Sequence, residues 1–108
     1  MKKDRNNIGE LEELVLLIVG VLNDNAYGIS VMDELNRQTG RNLSISAIHS
    51  VLLRLEKKSF LTSKMGGKTN ERGGRRKRYF LLTGQGSSTI SKIREQREKL
   101  WNLIPDNA

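Results

Sequence analysis

The hydrophobic residues between positions 10 and 22 predict a helix that is apolar on more than one face. One stripe follows the helical period, and three further apolar residues lie outside it. The stripe consists of Leu11, Leu14, Val15, Ile18 and Leu22, and the other three are Leu16, Leu17 and Val21. Such a helix needs two surfaces to bury against. The second surface could belong to another copy of the chain, or the helix could be the centre of a single core, and the pattern leaves both open.

Two shorter helices are predicted next. Tyr27-Gly28 leads into a second helix from Ile29 to about Thr39, which Gly40 caps. A third helix begins after Ser44 or Ser46, with a buried stripe made of Ile45, Ile48, Leu52 and Leu55. The residues left turned partly or wholly outward are Ser46, His49, Ser50, Leu53, Arg54 and Lys57. Small, hydrogen-bonding side chains in its first turns are typical of the recognition helix of a helix-turn-helix module, although an ordinary amphipathic helix with a solvated face remains open.

A strongly basic hairpin is predicted after these helices. Phe60 to Met65 and Lys77 to Leu82 read as short strands, and four glycines between them permit a hairpin tip. Residues 64–78 hold seven bases and one acid, which is +6 of the net charge of +7. Such a cluster is tolerated where a polyanion neutralises it and releases its counterions. Three helices followed by a basic hairpin predict a winged helix-turn-helix, mainly α with a small β-hairpin, and nucleic acid as its partner.

A long polar helix is predicted at the end of the chain. It begins after the N-cap Thr83 and runs from Gly84 to Ile104, before Pro105. Its sparse apolar seam, which Arg97 interrupts, needs a partner: the first helix together with a symmetry mate, or only its own domain. We expect one compact domain, with the winged helix over residues 1–83 and a C-terminal dimerisation helix over 84–108. The predicted dimerisation residues are Leu14, Ile18, Ile90, Ile93, Leu100, Trp101 and Ile104.

The composition gives little support to catalysis, metal binding or a cofactor. The chain of 108 residues has no cysteine, and its single histidine, His49, has no carboxylate motif with metal-ligand or triad spacing. Gly67-Lys68-Thr69 resembles the end of a phosphate-binding loop, but Thr62 stands where that motif requires glycine. The apolar run from 14 to 22 is too short to span a bilayer. We therefore expect a cytoplasmic protein that is not an enzyme and needs no cofactor.

Several segments together resemble the PadR family of bacterial transcriptional regulators. The resemblance covers roughly three quarters of the chain, from Gly9 to Gly86, in matching order and spacing. The matching segments are Gly9 to Leu17, Tyr27-Gly28, Ile48 to Leu55 followed by Glu56, Arg72 to Phe80, and Leu82-Thr83 with Gly86. This resemblance implies a homodimeric winged-helix repressor whose C-terminal helix mediates dimerisation. Small members, such as the lactococcal multidrug-sensing regulator, line a drug cavity between subunits with an aromatic residue of that helix, which implies Trp101 as effector-binding residue here.

The expected mechanism is sequence-specific binding to a pseudo-palindromic operator in double-stranded DNA. One set of residues would face base edges: Ser46, Ala47, His49 and Ser50. A second would contact or orient towards phosphate: Tyr27, Ser44 and Arg54. The hairpin would hold the DNA backbone through Lys68, Arg72, Gly73, Gly74, Arg75, Arg76 and Lys77. A small-molecule effector, planar and aromatic, would regulate the repressor.

Four residues depart from the family pattern. His49 replaces a usual tyrosine and Leu53 a usual polar residue, which predicts altered DNA choice. Ser59 stands where glycine commonly ends the recognition helix, which predicts a strained turn, and Arg76 where proline or a small residue is common. Two rival functions remain open: a winged-helix adaptor for an acidic protein partner, and a weaker one, a peripheral membrane protein. The adaptor would require an apolar patch near the hairpin, whose tip is almost wholly polar.

Overall fold

The computed structural model describes residues 8–66 and 76–106. Within these residues, four α-helices and a two-stranded antiparallel hairpin follow one another, and a short 3₁₀ turn separates the first two helices. The bounds are α1 Glu10–Leu22, the 3₁₀ turn Asn23–Asn25, α2 Gly28–Thr39, α3 Ile45–Lys57, β1 Leu61–Met65, β2 Arg78–Leu82 and α4 Gly84–Asn102. These bounds lie within two residues of those predicted from the pattern. The predicted fold class, mainly α with a small β-hairpin, is confirmed.

The helix ends follow from local hydrogen bonding. Of the two candidate caps for α3, Ser44 is the one used, since its Oγ accepts a hydrogen bond from the backbone N–H of Ala47 at 3.1 Å. Thr83 caps α4 in the same way, accepting from the N–H of Gly86 at 2.9 Å. Gly40 ends α2 with a φ of 72°, a left-handed conformation that glycine adopts without steric cost.

A single core joins the first three helices to the hairpin. Its fully or nearly fully buried members are Val15, Leu16, Ile18, Val19, Ala26, Val31, Leu35, Ile48, Val51, Leu52, Leu55, Phe60, Leu61 and Phe80. Helix α1 lies centrally and still has apolar surface left over, because Leu17 and Val21 remain 43% and 67% exposed. Ile18, one of the predicted dimerisation residues, is only 7% exposed and packs inside the protomer.

The hairpin is attached to the helices at its base. Leu61 pairs with Leu82 and Met65 with Arg78 at the two ends of the ladder. The backbone N–H of Phe80 donates to the carbonyl of Ala26 at 2.8 Å, which fixes β2 against the segment between α1 and α2. Ser59, in the turn before the hairpin, has a φ of 70°. The strained turn predicted at this position is confirmed, because residues other than glycine rarely adopt that conformation.

Helix α4 is fixed at its start and leaves the domain at its end. Gly86 is buried against the backbone of Phe60, the residue before β1. A Cβ atom at Gly86 would lie 2.1 Å from the carbonyl oxygen of Phe60. Further along, Arg97 donates to Glu13 at 2.8 Å, in the first turn of α1. Leu82, two residues before α4 begins, lies against Gly20 near the end of α1, so α4 runs antiparallel to α1. Every residue from 94 to 106 is exposed.

Candidate nucleic-acid interface

The outer surface of α3 is polar over its first two turns. Ser46, His49 and Ser50 are exposed, and Ala47 is half-buried beside them. Leu53 and Lys57 continue the same exposed face one and two turns later, since residues three, four and seven apart lie on one side of a helix. The buried side of α3 consists of Ile48, Val51, Leu52 and Leu55. This helix therefore presents hydroxyl groups and one imidazole outward from a fully packed base.

His49 packs directly over the start of α2. A Cβ atom on Gly28 would lie 2.8 Å from Nε2 of His49 and 3.2 Å from Cδ1 of Ile45. Only glycine leaves room for this approach with His49 in its present position, which accounts for Gly28 as the first residue of α2. The absence of a side chain at Gly28 thus allows the imidazole to lie against the start of α2 while His49 itself remains exposed.

Tyr27, the residue before α2, connects the start of that helix to the base of the hairpin. Its ring makes an edge contact with Tyr79 of β2, with the two ring centroids 5.6 Å apart. The ammonium group of Lys77 lies 4.3 Å from the centroid of the Tyr27 ring, within the range of a cation–π interaction. The Tyr79 ring also covers Gly66, where a Cβ atom would lie 2.6 Å from it. Tyr79 of β2 and the neighbouring Lys77 are therefore held against Tyr27, the residue that precedes α2.

A continuous series of contacts consequently connects the exposed face of α3 with the root of the hairpin. The series runs from His49 to Gly28, then through Tyr27 to Tyr79 and Lys77. Arg76, next to Lys77, is exposed. The hairpin tip, with Lys68, Arg72, Gly73, Gly74 and Arg75, lies outside the described residues. The hydrogen-bonding groups on α3 and the cations at the hairpin root, which this series connects, are together defined here as the candidate interface.

One base of the cationic segment is committed to α3. Arg78 donates from Nη2 to Glu56 at 2.8 Å and from Nε to the Ser63 hydroxyl at 2.9 Å, and Ser63 donates to the same carboxylate. These bonds join the C-terminal half of α3 to both strands. Arg78 is therefore bound to an acidic residue of its own protomer. Counting charges along the sequence does not reveal this role. The sequence contains no local signal for this ion pair, because its partners stand 22 positions apart.

Arg54 is also committed within the protomer. The sequence predicts it as a phosphate contact, whereas its Nε donates to Glu12 of α1 at 3.1 Å, and Lys58 donates to the same oxygen at 2.8 Å. The backbone N–H of Gly9 donates to the other carboxylate oxygen at 3.0 Å. These interactions tie the last two turns of α3 to the first turn of α1. Sequence analysis did not identify Glu12 as part of the site.

The pKa of the Glu12 carboxyl lies below its ordinary value. Burial, the largest single effect, raises this pKa, but hydrogen bonds from Lys58, the Gly9 N–H and Arg54 together lower it by more. Since the ionised form is favoured in the folded protein, the carboxylate stabilises the fold at pH values above its ordinary pKa of 4.5. That contribution is lost as the pH falls through the lowered pKa.

The predicted dimerisation residues divide into packed and exposed groups. Leu14 and Ile90 lie half-buried against the protomer core, and Ile93 is half-buried on α4. Four residues near the end of the chain are uncovered: Leu100 at 58%, Trp101 at 74%, Leu103 at 70% and Ile104 at 49% exposure. None of the described helices is long and apolar enough to cross a bilayer. This apolar end of α4 is remote in sequence from the candidate interface.

Comparison with known proteins identifies relatives of the same fold. The model of the transcriptional regulator PadR-like family matches residues 17–92. No curated protein matches the chain. A PadR family regulator from Clostridium difficile R20291 superposes with a TM-score of 0.71 at 21% identity, covering 88% of this chain and 94% of its own. The PadR-like regulator BC4206 from Bacillus cereus gives 0.69 at 20% identity, with 85% and 84% covered. A third, from Eggerthella lenta, gives 0.65 at 23% identity, with 86% and 80% covered.

Proposed function

Because this chain belongs to the PadR-like family of transcriptional regulators, which bind DNA and are not enzymes, we propose that it is a dimeric repressor that reads its operator with α3. In this proposal α3 enters the major groove, where its first two turns meet base edges. The residues that face the bases are Ser46, Ala47, His49 and Ser50. Ser44 and Tyr27 contact phosphate near the start of α3. The hairpin holds the DNA backbone through Arg76, Lys77 and the basic residues of its tip.

The contact series from His49 through Tyr27 to Lys77 is the observation that carries this proposal. A regulator needs base-reading groups and phosphate-binding cations on one side, because one duplex must touch both. His49 lies against Gly28, and the neighbouring Tyr27 ring contacts both Tyr79 and Lys77. The positions of the two kinds of group relative to each other are thus set by packing inside the protomer. An acidic protein partner would exploit the charge but would not require the polar face of α3.

A gel-shift titration at several salt concentrations tests the DNA assignment. Arg76→Gln should weaken binding to all sequences alike and reduce the slope of log affinity against log salt by about 0.9, the value for one phosphate contact. Arg94→Gln is the matched control, since Arg94 is exposed on α4 and pairs with Glu98 of the same helix. Affinity that hardly responds to salt would favour the protein-binding adaptor instead.

Selection of binding sites from random DNA tests the readout by α3. His49→Ala should change the preferred sequence, because the imidazole is one of few hydrogen-bonding groups on the exposed face. Its overall affinity for non-specific DNA should stay close to that of the parent protein, since no phosphate contact is removed. An unchanged preferred sequence would contradict the base-reading role of His49.

The homodimer is proposed from the apolar surface that the protomer leaves uncovered. Large apolar side chains are exposed on α1 and at the end of the chain: Leu17, Val21, Leu100, Trp101, Leu103 and Ile104. Two-fold pairing through α4 and α1 would remove this surface from water and present two copies of α3 to a pseudo-palindromic operator. Ile93 would lie at the edge of this contact. A protein that acts on genomic DNA in this way would be located in the cytoplasm.

We further propose that Trp101 contacts a planar aromatic effector between the subunits. Trp101 is 74% exposed in the protomer, and an indole ring can stack on flat aromatic or cationic molecules. It is the only tryptophan of the chain, so its fluorescence reports on this position alone. A compound that releases DNA should also quench this fluorescence. Release of DNA without any quenching would place the effector elsewhere.

A further inference from the structure

Glu12 stands apart from the other acidic residues in the described part of the chain. Of the acidic residues in that part of the chain, Glu12 alone is buried, at 7% exposure. Both of its oxygens accept hydrogen bonds, and two of the three donors are cations of the segment that ends α3. A buried carboxylate with two cationic partners is costly to leave unpaired, so these contacts persist while the domain is folded. Glu12 therefore fixes where Arg54 and Lys58 lie.

Arg54 and Lys58 lie on the flank of α3 next to its DNA-facing side. Arg54 directly follows the exposed Leu53 and stands one turn after Ser50. Its side chain is 52% exposed and that of Lys58 is 37% exposed, so both are accessible from the surface while bound to Glu12. The single negative charge of Glu12 compensates one of these two positive charges. Both long side chains reach Glu12 in the first turn of α1.

We propose that Glu12 is a specificity-determining positioning residue that withholds Arg54 and Lys58 from DNA phosphate. This inference rests on the DNA-binding function proposed above. Phosphate contacts increase affinity for every sequence and carry no sequence information. Two additional cations beside the base-reading face would strengthen non-specific binding and dilute the discrimination that α3 provides. By holding these cations on α1, Glu12 keeps binding dependent on the base contacts.

Glu12→Gln tests the proposal, with Glu34→Gln as the matched control. Glu34 pairs with Arg37 and Gln38 on its own helix, α2, so its loss frees no cation of α3. Glu12→Gln should steepen the salt slope for non-specific DNA by about one and raise non-specific affinity at low salt on the order of tenfold. The ratio of specific to non-specific affinity should fall correspondingly. Glu34→Gln should leave both quantities as in the parent protein.

A merely structural role for Glu12 predicts a different result. In that case Glu12→Gln would lower stability and affinity without steepening the salt slope, and this outcome would overturn the proposal. Adding Arg54→Gln and Lys58→Gln to Glu12→Gln should return the slope to that of the parent protein, because the released cations are then absent. A slope that stays steep in the triple variant would also contradict it.

A further variant covers the case in which Glu12→Gln does not fold. Lys58→Gln in the otherwise unchanged protein should leave the salt slope unaltered, whereas Arg76→Gln reduces it. A decrease of about 0.9 for Lys58→Gln would show that Lys58 already binds phosphate and would overturn the inference while DNA binding stands. Salt-independent binding by the parent protein would instead overturn the proposed function itself, so the two failures are distinguishable.

Discussion

Helices α3 and α4 differ in how completely the protomer covers their apolar residues. The inward face of α3 is fully packed, and its outward face is polar apart from Leu53. Only the first turns of α4 pack on the domain, and its end exposes Leu100 and Trp101. The surface of α3 suits a solvated, hydrogen-bonding partner such as DNA, whereas the end of α4 suits an apolar one. In the proposed function, recognition of DNA therefore falls to α3 and assembly of the dimer to α4.

The largest effect should come from a charge placed on the apolar end of α4. Leu100→Glu should weaken dimerisation by about 100-fold or more, because burying a carboxylate in an apolar interface is strongly unfavourable. Sedimentation at a series of concentrations measures this. Ser91→Glu is the matched control, since Ser91 is exposed and lies nine residues earlier, half a turn away around the helix. A dimer of unchanged affinity in Leu100→Glu would assign the apolar end to another partner.

The fluorescence of Trp101 provides a second measure of dimerisation through the end of α4. Its emission should shift to longer wavelength when the parent protein is diluted below its dimer dissociation constant, because the side chain is 74% exposed in the protomer. Leu100→Glu should show the long-wavelength emission at every concentration. Emission that is independent of concentration in a protein that still dimerises would mean that Trp101 lies outside the interface.

A smaller effect is expected where α4 is anchored to the hairpin. Gly86→Ala should lower the free energy of unfolding by about 2 kcal/mol, because its Cβ would meet the backbone oxygen of Phe60 at 2.1 Å and neither backbone can yield easily. Urea denaturation measures the change. Gly84→Ala, two residues earlier, has no atom within 4 Å of the added carbon and should be neutral or slightly stabilising. Equal stability of the two variants would contradict the close packing of α4.

The difference between these helices also explains what the sequence could predict. Periodicity and capping residues were sufficient for the helices, because each signal is local: Ser44, Thr83 and Gly40 act on the turn in which they stand. The polar face of α3 was predicted correctly for the same reason. The double character of α1 left two readings open. Leu16 lies in the core of the protomer while Val21 is exposed, so burial of the second surface against another copy of the chain stays a prediction.

Interactions between distant segments were beyond the reach of the pattern. Glu12 meets Arg54 across 42 positions, and Glu13 meets Arg97 across 84, so no spacing rule connects them. Arg97, which only interrupts the apolar seam when the sequence is read, proves to join α4 to α1. The charge cluster of residues 64–78 likewise gave no sign that Arg78 is directed to Glu56. Such pairings depend on the packed fold, which sets the side chains within hydrogen-bonding distance.

The smallest effect on stability should come from Gly28→Ala, at the start of α2 beneath His49 of α3. This variant also tests how α3 chooses its DNA sequence. The added carbon would lie 2.8 Å from Nε2 of His49, which can rotate away at little cost, in contrast to the fixed backbone beside Gly86. The free energy of unfolding should change by about 1 kcal/mol or less. Site selection should nevertheless give a changed preferred sequence that resembles that of His49→Ala, because the imidazole has lost its position.

The double variant Gly28→Ala, His49→Ala should shift preference no further than His49→Ala alone, since the two changes act through one side chain. Additive shifts would mean that Gly28 affects DNA choice by another route than the placement of His49.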